Sequence, residues 1–330
     1  MTSWTRGEIT VVASAVRRAP SVHNTQPWIL EFHDGSISLF ERLDLSLPWH
    51  DPTGRDRMIS CGAALANLVL ATRILGWDVE TLLFPERDRP DQVARVVAIG
   101  RRAPSDMDWN TYSTIPWRRS HRGPFTPTPV PEAMRQALID AAHAGGVQLR
   151  PVRGPAECTV LAQLLTHTGL VLRNDRAYQR ELALWTNDRP DHHPGGGIPA
   201  LAKGIATLPW AGLVRTNTSV PDQNVLAARL DQEYLLLVET PDDGRRDHLL
   251  AGRAIQDTWL AASREGLAGS VLTQPLHLAE VRAGLIERLG LAGFPQALLR
   301  FGYPEDAGPR SPRVPLIELI RANDKEEGRP

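Results

Sequence analysis

Residues 19 to 28 read Ala-Pro-Ser-Val-His-Asn-Thr-Gln-Pro-Trp, so Ser21, His23, Asn24, Thr25 and Gln26 crowd donors and acceptors between Pro20 and Pro27. Two prolines restrict the backbone, and a rigid loop this polar suits the edge of a planar heteroaromatic ring. Alone, it reads equally well as a proline-rich turn between a helix and a strand. A second cluster, Arg118-Arg119-Ser120-His121-Arg122, offers guanidinium forks that match phosphate oxygens and a hydroxyl as a further donor. Alone, it is a solvated basic turn. The third, Pro309-Arg310-Ser311-Pro312-Arg313-Val314-Pro315, reads by itself as a C-terminal linker.

Other chemistries find no support. There is no Gly-x-Ser-x-Gly and no phosphate-cradling Gly-x-x-x-x-Gly-Lys, and Gly195-Gly196-Gly197 neither follows a strand nor opens a dinucleotide fingerprint. Asp191, His192 and His193 lack a third ligand at metal-binding spacing, so no metal site is expected. Cys61 and Cys158 sit among apolar neighbours and read as small buried hydrophobes in a reducing compartment. No side chain is assigned as a proton-shuttling catalyst.

The clusters need elements to hold them. Residues 5–18 show helical periodicity, and Pro20 ends it. Trp28 to Arg42 reads as two strands joined by Asp34-Gly35, a hairpin signal. Residues 57–75 are apolar nearly all round, with Gly62, Ala63, Ala64 and Ala66 marking a closely packed central helix. Residues 78–84 and 93–99 follow as strands. The same order then recurs: a helix from Pro131 to Ala142, a strand over 147–152, a helix over 156–172, strands over 232–239 and 297–303, and between these a long helix, 248–266. Residues 101–130 are expected to be an irregular crossover. Residues 186–221, rich in proline and glycine, are expected to be a long excursion or lid.

The totals narrow the function. A net charge of −1, from 37 basic and 38 acidic side chains, argues against a nucleic-acid or anionic-membrane surface. The N-terminus lacks the apolar core of a secretory signal, and the apolar runs, such as Leu235 to Val238, are too short to span a bilayer. A cytoplasmic protein is expected.

The first two clusters together resemble the nitroreductase family, whose members carry an Ala-Pro-Ser-x-x-Asn-x-Gln-Pro-Trp flavin loop and an Arg-Arg-Ser-x-Arg phosphate motif. That resemblance implies an α+β fold of antiparallel-rich sheets flanked by helices, with FMN held between two subunits, the loop from one and the phosphate motif from the other. Here one loop stands in the first half and one phosphate motif at the start of the second. Where the second half would repeat the loop, it reads Ala141-Ala-His-Ala-Gly-Gly146. The chain in this respect resembles the Acg-type branch, in which one chain mimics a dimer, with residues 1–110 carrying the loop and 111–330 the phosphate motif and the lid. The resemblance covers nearly the whole length.

Carried over residue by residue, the resemblance gives Arg118, Arg119, Ser120 and Arg122 to the FMN phosphate, with Arg310 and Arg313 completing the pocket. Pro20, Ser21, Val22, Asn24 and Gln26 would line the flavin and read its pyrimidine edge, and His23 is counted among the cofactor-binding residues without a role of its own. Gly269 and Ser270, following the second central helix, would approach its N5. The implied activity is NAD(P)H-dependent reduction of nitro or quinone acceptors by a monomer. The alternative is a non-catalytic protein that sequesters FMN beneath the lid.

Overall fold

The computed structural model describes residues 3–142, 145–186, 214–306 and 310–321. Helix α1 (Arg6–Val16) opens with a capping box, Thr5 and Glu8 each satisfying the other's backbone N–H. Strands β1 (Trp28–His33) and β2 (Ser36–Glu41) pair through the Asp34-Gly35 turn, where Gly35 takes a φ of 69°. Helix α2 (Arg55–Ile74) follows, then β3 (Trp77–Leu83) and β4 (Gln92–Arg101). The four strands form an antiparallel sheet in the order β1-β2-β4-β3.

After α3 (Asp106–Thr114) the pattern starts again. It runs α4 (Glu132–Asp140), β5 (Gln148–Pro151), α5 (Gly154–Asn174), α6 (Arg176–Trp185), α7 (Gln223–Leu230), β6 (Tyr234–Thr240), α8 (Arg245–Arg264), β7 (Ala268–Leu272), α9 (Ala279–Leu289) and β8 (Phe294–Gly302). The second sheet has the order β5-β6-β8-β7, the same topology as the first. Even the irregularity repeats. The register slips between Leu39 and Phe40 where β2 meets β4, and between Val238 and Glu239 where β6 meets β8. An internal structural repeat is therefore visible in strand order, direction and bulge position.

The halves meet on α2 and α8. At their crossing Gly62 lies against Leu249 and Gly252, and Gly252 against Ile59, backbone to backbone. A Cβ on Gly252 would overlap the Ile59 carbonyl oxygen; one on Gly62 would overlap that of Leu249. The contacts are reciprocal, so Gly62 and Gly252 occupy equivalent places in the repeat. Three polar clamps flank the crossing. Gln256 donates to Asn67 (2.8 Å), whose own amide donates to the Ala15 carbonyl. Arg245, the first residue of α8, pairs with the buried Glu41, while its counterpart Arg55 donates to the carbonyls of Thr273 and Leu276. Each central helix thus grips the opposite half at its N-terminus. Helix α2 is also the one helix among the described residues long and apolar enough to cross a membrane; 83% of that stretch is buried inside the protein, as a core helix would be.

Several expectations need correction. The 101–130 stretch is not wholly irregular. Ser105 and Asp108 form a capping box that starts α3, a helix that buries only Thr114 and so shows no apolar stripe to the reader of its sequence. Strand β7 and helices α6, α7 and α9 were not anticipated; β7 is five residues long and the helices are brief. The C-terminal stretch crosses back to the first sheet, where Ile320 bridges Leu30 in parallel. Of the expected lid, residues 187–213, with Asp191, His192 and His193, lie outside the described residues. So do His143 and Ala144.

The crossing has a direct test. Gly252→Ala places a methyl into the Ile59 backbone and should cost roughly 3 kcal/mol or more of unfolding free energy, measured by urea titration, because neither helix backbone can give way cheaply.

Candidate functional site

The loop after α1 is held by its own side chains and by both neighbours. Ser21 Oγ accepts from the Gln26 N–H (3.0 Å), and Thr25 donates to the Val22 carbonyl (2.9 Å). Ser60 of α2 accepts from the Val22 N–H (3.0 Å). His23, Asn24 and Gln26 all take positive φ, 45°, 57° and 51°. For residues with a Cβ this left-handed backbone costs roughly 1 kcal/mol or more each, and such strain gathers at functional sites.

Asn24 and Gln26 do something other than the sequence suggests. Asn24 donates to the Pro312 carbonyl (2.9 Å) and accepts from Arg313, while Gln26 Oε1 accepts from the Val314 N–H (3.2 Å). Their amides hold the C-terminal stretch in place and so aim Arg313. Gln26 lines neither of the clefts described next; Asn24 lines the first.

That first cleft is basic and is ringed by Arg18, Arg118, Arg119, Arg122, Arg310 and Arg313, with Ser21, Ser120 and Ser311 between them. The three clusters, far apart in sequence, meet here. Arg118 is only 6% exposed, yet its Nε and Nη1 have no hydrogen-bond partner and its Nη2 reaches just the Arg18 carbonyl (3.3 Å). Among the described residues no carboxylate pairs with Arg118, Arg122, Arg310 or Arg313. Burial, then repulsion from Arg313 and Arg18, pushes the Arg118 guanidinium down to about 9. Burial, then Arg18 and Arg17, pushes Arg313 down to about 10. Both stay charged at neutral pH, and both lack an anion.

A second cleft adjoins the first through Pro20, Ser21, Ser120 and Arg122. Its walls are apolar: Ile59 and Ala63 from α2, Ile255 and Trp259 from α8, Val271 from β7. Each half thus contributes one face. Arg118 lies over the Trp259 ring at 4.6 Å and joins the two clefts. The far end is polar, with His23, Asp56, Thr273 and Gln274. Burial would raise the Asp56 carboxyl, but His277 and Arg55, with hydrogen bonds from His277 and Thr273, hold it below the ordinary range. Asp51, Asp56 and His277 bring ligand atoms within 4.8 Å of one another. Their oxygens are committed, however: Asp51 caps α2 through the Asp56 and Arg57 N–H groups, and Asp56 serves Arg55, Thr273 and His277.

The phosphate-motif residues arrive on a segment pinned to the second sheet. Ser120 bridges Gly269, the His121 N–H donates to the Gly269 carbonyl (2.8 Å), and buried Arg300, paired with Glu233, donates to the carbonyls of His121 and Gly123. Gly269 and Ser270 therefore anchor that segment and line neither cleft. Gly269 leaves no room for a Cβ, which would meet the Phe301 ring and the Arg300 carbonyl. The residues that do reach the slot are Val271 of this strand and, just after it, Thr273 and Gln274. Sequence reasoning missed these, as it missed Arg18, Asp56 and the α2 and α8 walls; the small residues of α2 were the available signal for a slot between helices.

In the second copy of the repeat, Arg246 stands where Asp56 is and Arg253 where Ala63 is. There, between β3 and α8, Thr81, Leu83, Arg246, Leu250 and Arg253 line a shallow cleft. A further cleft, between α4, β5 and α7, holds none of the three clusters. Its Cys158 thiol is pushed up to about 11 by burial and by Asp231 and Glu157, so it is no nucleophile at neutral pH.

No protein-family model matches the chain. A protein of Mycobacterium tuberculosis, named provisionally as an NAD(P)H nitroreductase, is 34% identical over 323 residues, which cover 94% of this chain and 90% of its own. The Acg protein of the same organism, named in the same provisional way, is 27% identical over 332 residues, with 96% and 97% covered. Among solved structures, the FMN-dependent nitroreductase NfnB of Mycobacterium smegmatis, in complex with NADPH, is 20% identical at a TM-score of 0.43, over 66% of this chain and 100% of that one. A nitroreductase-like family protein of Bacillus cereus is 16% identical at a TM-score of 0.40, over 65% and 96%.

The buried histidines make stability depend on pH. Burial, then repulsion from His50, holds His23 well below the ordinary imidazole value, and burial lowers His50 to about 4. Unfolded, both take up protons below about pH 6.5. Their contribution is therefore present above that value and lost as pH falls towards 4. Asp51, raised to about 6 by burial and by Asp56, opposes this with a single proton. These three groups together take up about one proton on unfolding, which by itself lowers stability by roughly 1.4 kcal/mol per pH unit between pH 6 and 4.5, read from urea midpoints. His50→Phe, which keeps the ring's stacking and removes its titration, should flatten that slope.

Proposed function

The chain belongs to the nitroreductase superfamily and to its Acg-type branch, and on that premise we propose that it holds a single FMN across the two adjoining clefts and acts as an NAD(P)H-dependent flavin oxidoreductase. One observation carries the reading: a buried arginine with two unpartnered nitrogens, set among like charges, opens onto an apolar slot whose two faces come from different halves. A buried guanidinium without a counter-charge costs several kcal/mol, and a phosphate ester is the group whose oxygens suit an arginine fork.

The residues fit the cofactor part by part. Arg118, Arg122 and Arg313, with Ser120, Arg119 and Arg310 at the rim, would hold the phosphate. Pro20, Ser21, Val22 and His23 from the loop, and Ile59, Ala63, Ile255 and Trp259 from the central helices, would enclose the ring. FMN, when bound, supplies the redox chemistry, taking hydride from a nicotinamide and passing electrons to a nitro or quinone acceptor. The protein's share is to bind, to orient and to exclude water. The α2–α8 pairing buries within one chain the surface a two-subunit arrangement would share, so we take the active form to be a monomer.

Arg118→Ala should weaken FMN binding by roughly 1.5–3 kcal/mol, the worth of a lost charge-assisted hydrogen bond, while riboflavin affinity stays nearly unchanged. Equal loss for both flavins would overturn the phosphate assignment. Anaerobic bleaching of the bound flavin by NADPH or NADH would establish the reductase. A flavin that binds stoichiometrically and stays oxidised with both nicotinamides would instead establish the FMN-sequestering alternative.

A further inference from the structure

The polar end of the ring slot contains a hydrogen-bond chain whose proton positions are forced. His50 Nε2 lies 2.9 Å from the Tyr178 carbonyl oxygen. A carbonyl only accepts, so that nitrogen carries a proton. The other nitrogen of His50, Nδ1, meets His23 Nε2, and a single proton lies between them. If it sat on His50, that ring would be a buried cation. His23 would then keep its own proton on Nδ1, a buried nitrogen that has no acceptor. With the shared proton on His23, both rings are neutral and no N–H is stranded. What remains is a bare lone pair on His23 Nδ1.

The chain is built rather than incidental. The His50 ring stacks on Tyr178 at 3.8 Å and 4°, and the N–H groups of Trp49 and His50 both donate to Glu181. Helix α6 supplies both Tyr178 and Glu181, and with them fixes a histidine from the first half. His23 in turn is held by the left-handed backbone of its loop. The charged and titratable groups that face it are His50, Asp56, Arg122 and His277. Asp56 and His277 are bonded to each other, and Asp56 also to Arg55 and Thr273. His23 is thus part of the slot lining and brings to it a buried acceptor without a partner, beside α2 and α8 walls that are mostly apolar.

We propose that His23 recognises the imide N–H of the flavin pyrimidine ring, accepting that hydrogen through Nδ1, with His50 and the Tyr178 carbonyl as the positioning pair that keeps Nδ1 free of a proton. The inference rests on the FMN reading above. The oxidised flavin ring system carries a single N–H, at N3, and that edge is the part of the ring that could meet a bare acceptor. The ring's carbonyls need donors, so N3–H is the one group of that edge that a bare acceptor matches.

The test compares FMN with 3-methyl-FMN, in which a methyl replaces the N3 hydrogen, by fluorescence titration of the full chain. Wild type should bind the methylated flavin at least about tenfold more weakly. His23→Leu should bind FMN more weakly than wild type and no longer distinguish the two flavins. His50→Phe, which leaves the slot lining intact but frees the His23 proton, should narrow the difference. Tight binding of both flavins with equal affinity by wild type would overturn the proposal and leave the FMN reading standing. Failure of the folded wild type to bind either flavin would overturn the FMN reading itself. The wild-type comparison decides the matter even if a variant fails to fold.

Discussion

The backbone contact between Gly62 and Gly252 is the constraint on which the rest of this structure depends. Two helices that approach until carbonyl oxygens meet Cα atoms bring their flanking side chains to fixed, reciprocal places. Ile59 and Ala63 of one, and Ile255 and Trp259 of the other, face the same narrow space because the crossing leaves them no other arrangement. A wider separation would split the slot into two shallow surfaces. The clamps at Arg55 and Arg245 act in the same direction, since each ties the start of one central helix to the opposite half.

The crossing is nearly symmetric, but what surrounds it is not. Sheet order, strand direction and bulge position repeat, whereas the side chains that would make a site have diverged. On one side stand Asp56, Ala63 and the strained loop; on the other, Arg246, Arg253 and a glycine pair. Packing requires small residues and apolar faces on both helices, which preserves the frame in both copies. A ligand site needs particular groups at particular places, and a chain that carries both halves needs only one set. The fold can therefore keep its twofold frame while its chemistry becomes one-sided.

Much of the frame was legible because it rests on local signals. The Asp34-Gly35 hairpin and the all-round apolar 57–75 stretch each point to their element with little help from distant residues, whereas the three arginine- or proline-rich clusters gain meaning only when they are taken together. What was hidden depends on long-range contact. Helix α3 buries almost nothing, so periodicity could not reveal it. Asn24 and Gln26 looked like ring-reading groups by type, yet they bind residues 312–314, nearly three hundred positions away. Gly269 was chosen for its place after a central helix, but its carbonyl and lack of a Cβ serve the pairing with Ser120 and the packing on Phe301. His50 had no motif at all. It acquires a role only because α6 delivers a carbonyl and a carboxylate to it.

The electrostatics of the basic cleft run against the stability of the empty protein. Arg118 is buried and Arg313 half-buried beside Arg18, and desolvation together with repulsion from neighbouring arginines lowers both guanidinium values. A hydrophobic core gains nothing from such a grouping, and uncompensated buried charge is among the larger destabilising features a fold can carry. The segments that carry it are held elsewhere: Arg300 with Glu233 fixes the phosphate-motif strand, and Asn24 with Gln26 fixes the C-terminal stretch. Those anchors keep the arginines converged when repulsion would drive them apart. An anion that enters this arrangement finds its donors already in place, so little of its binding energy is spent on ordering the protein. Pre-formed charge of one sign, held by unrelated contacts, is what separates a site of this kind from a surface basic turn with the same residues in it.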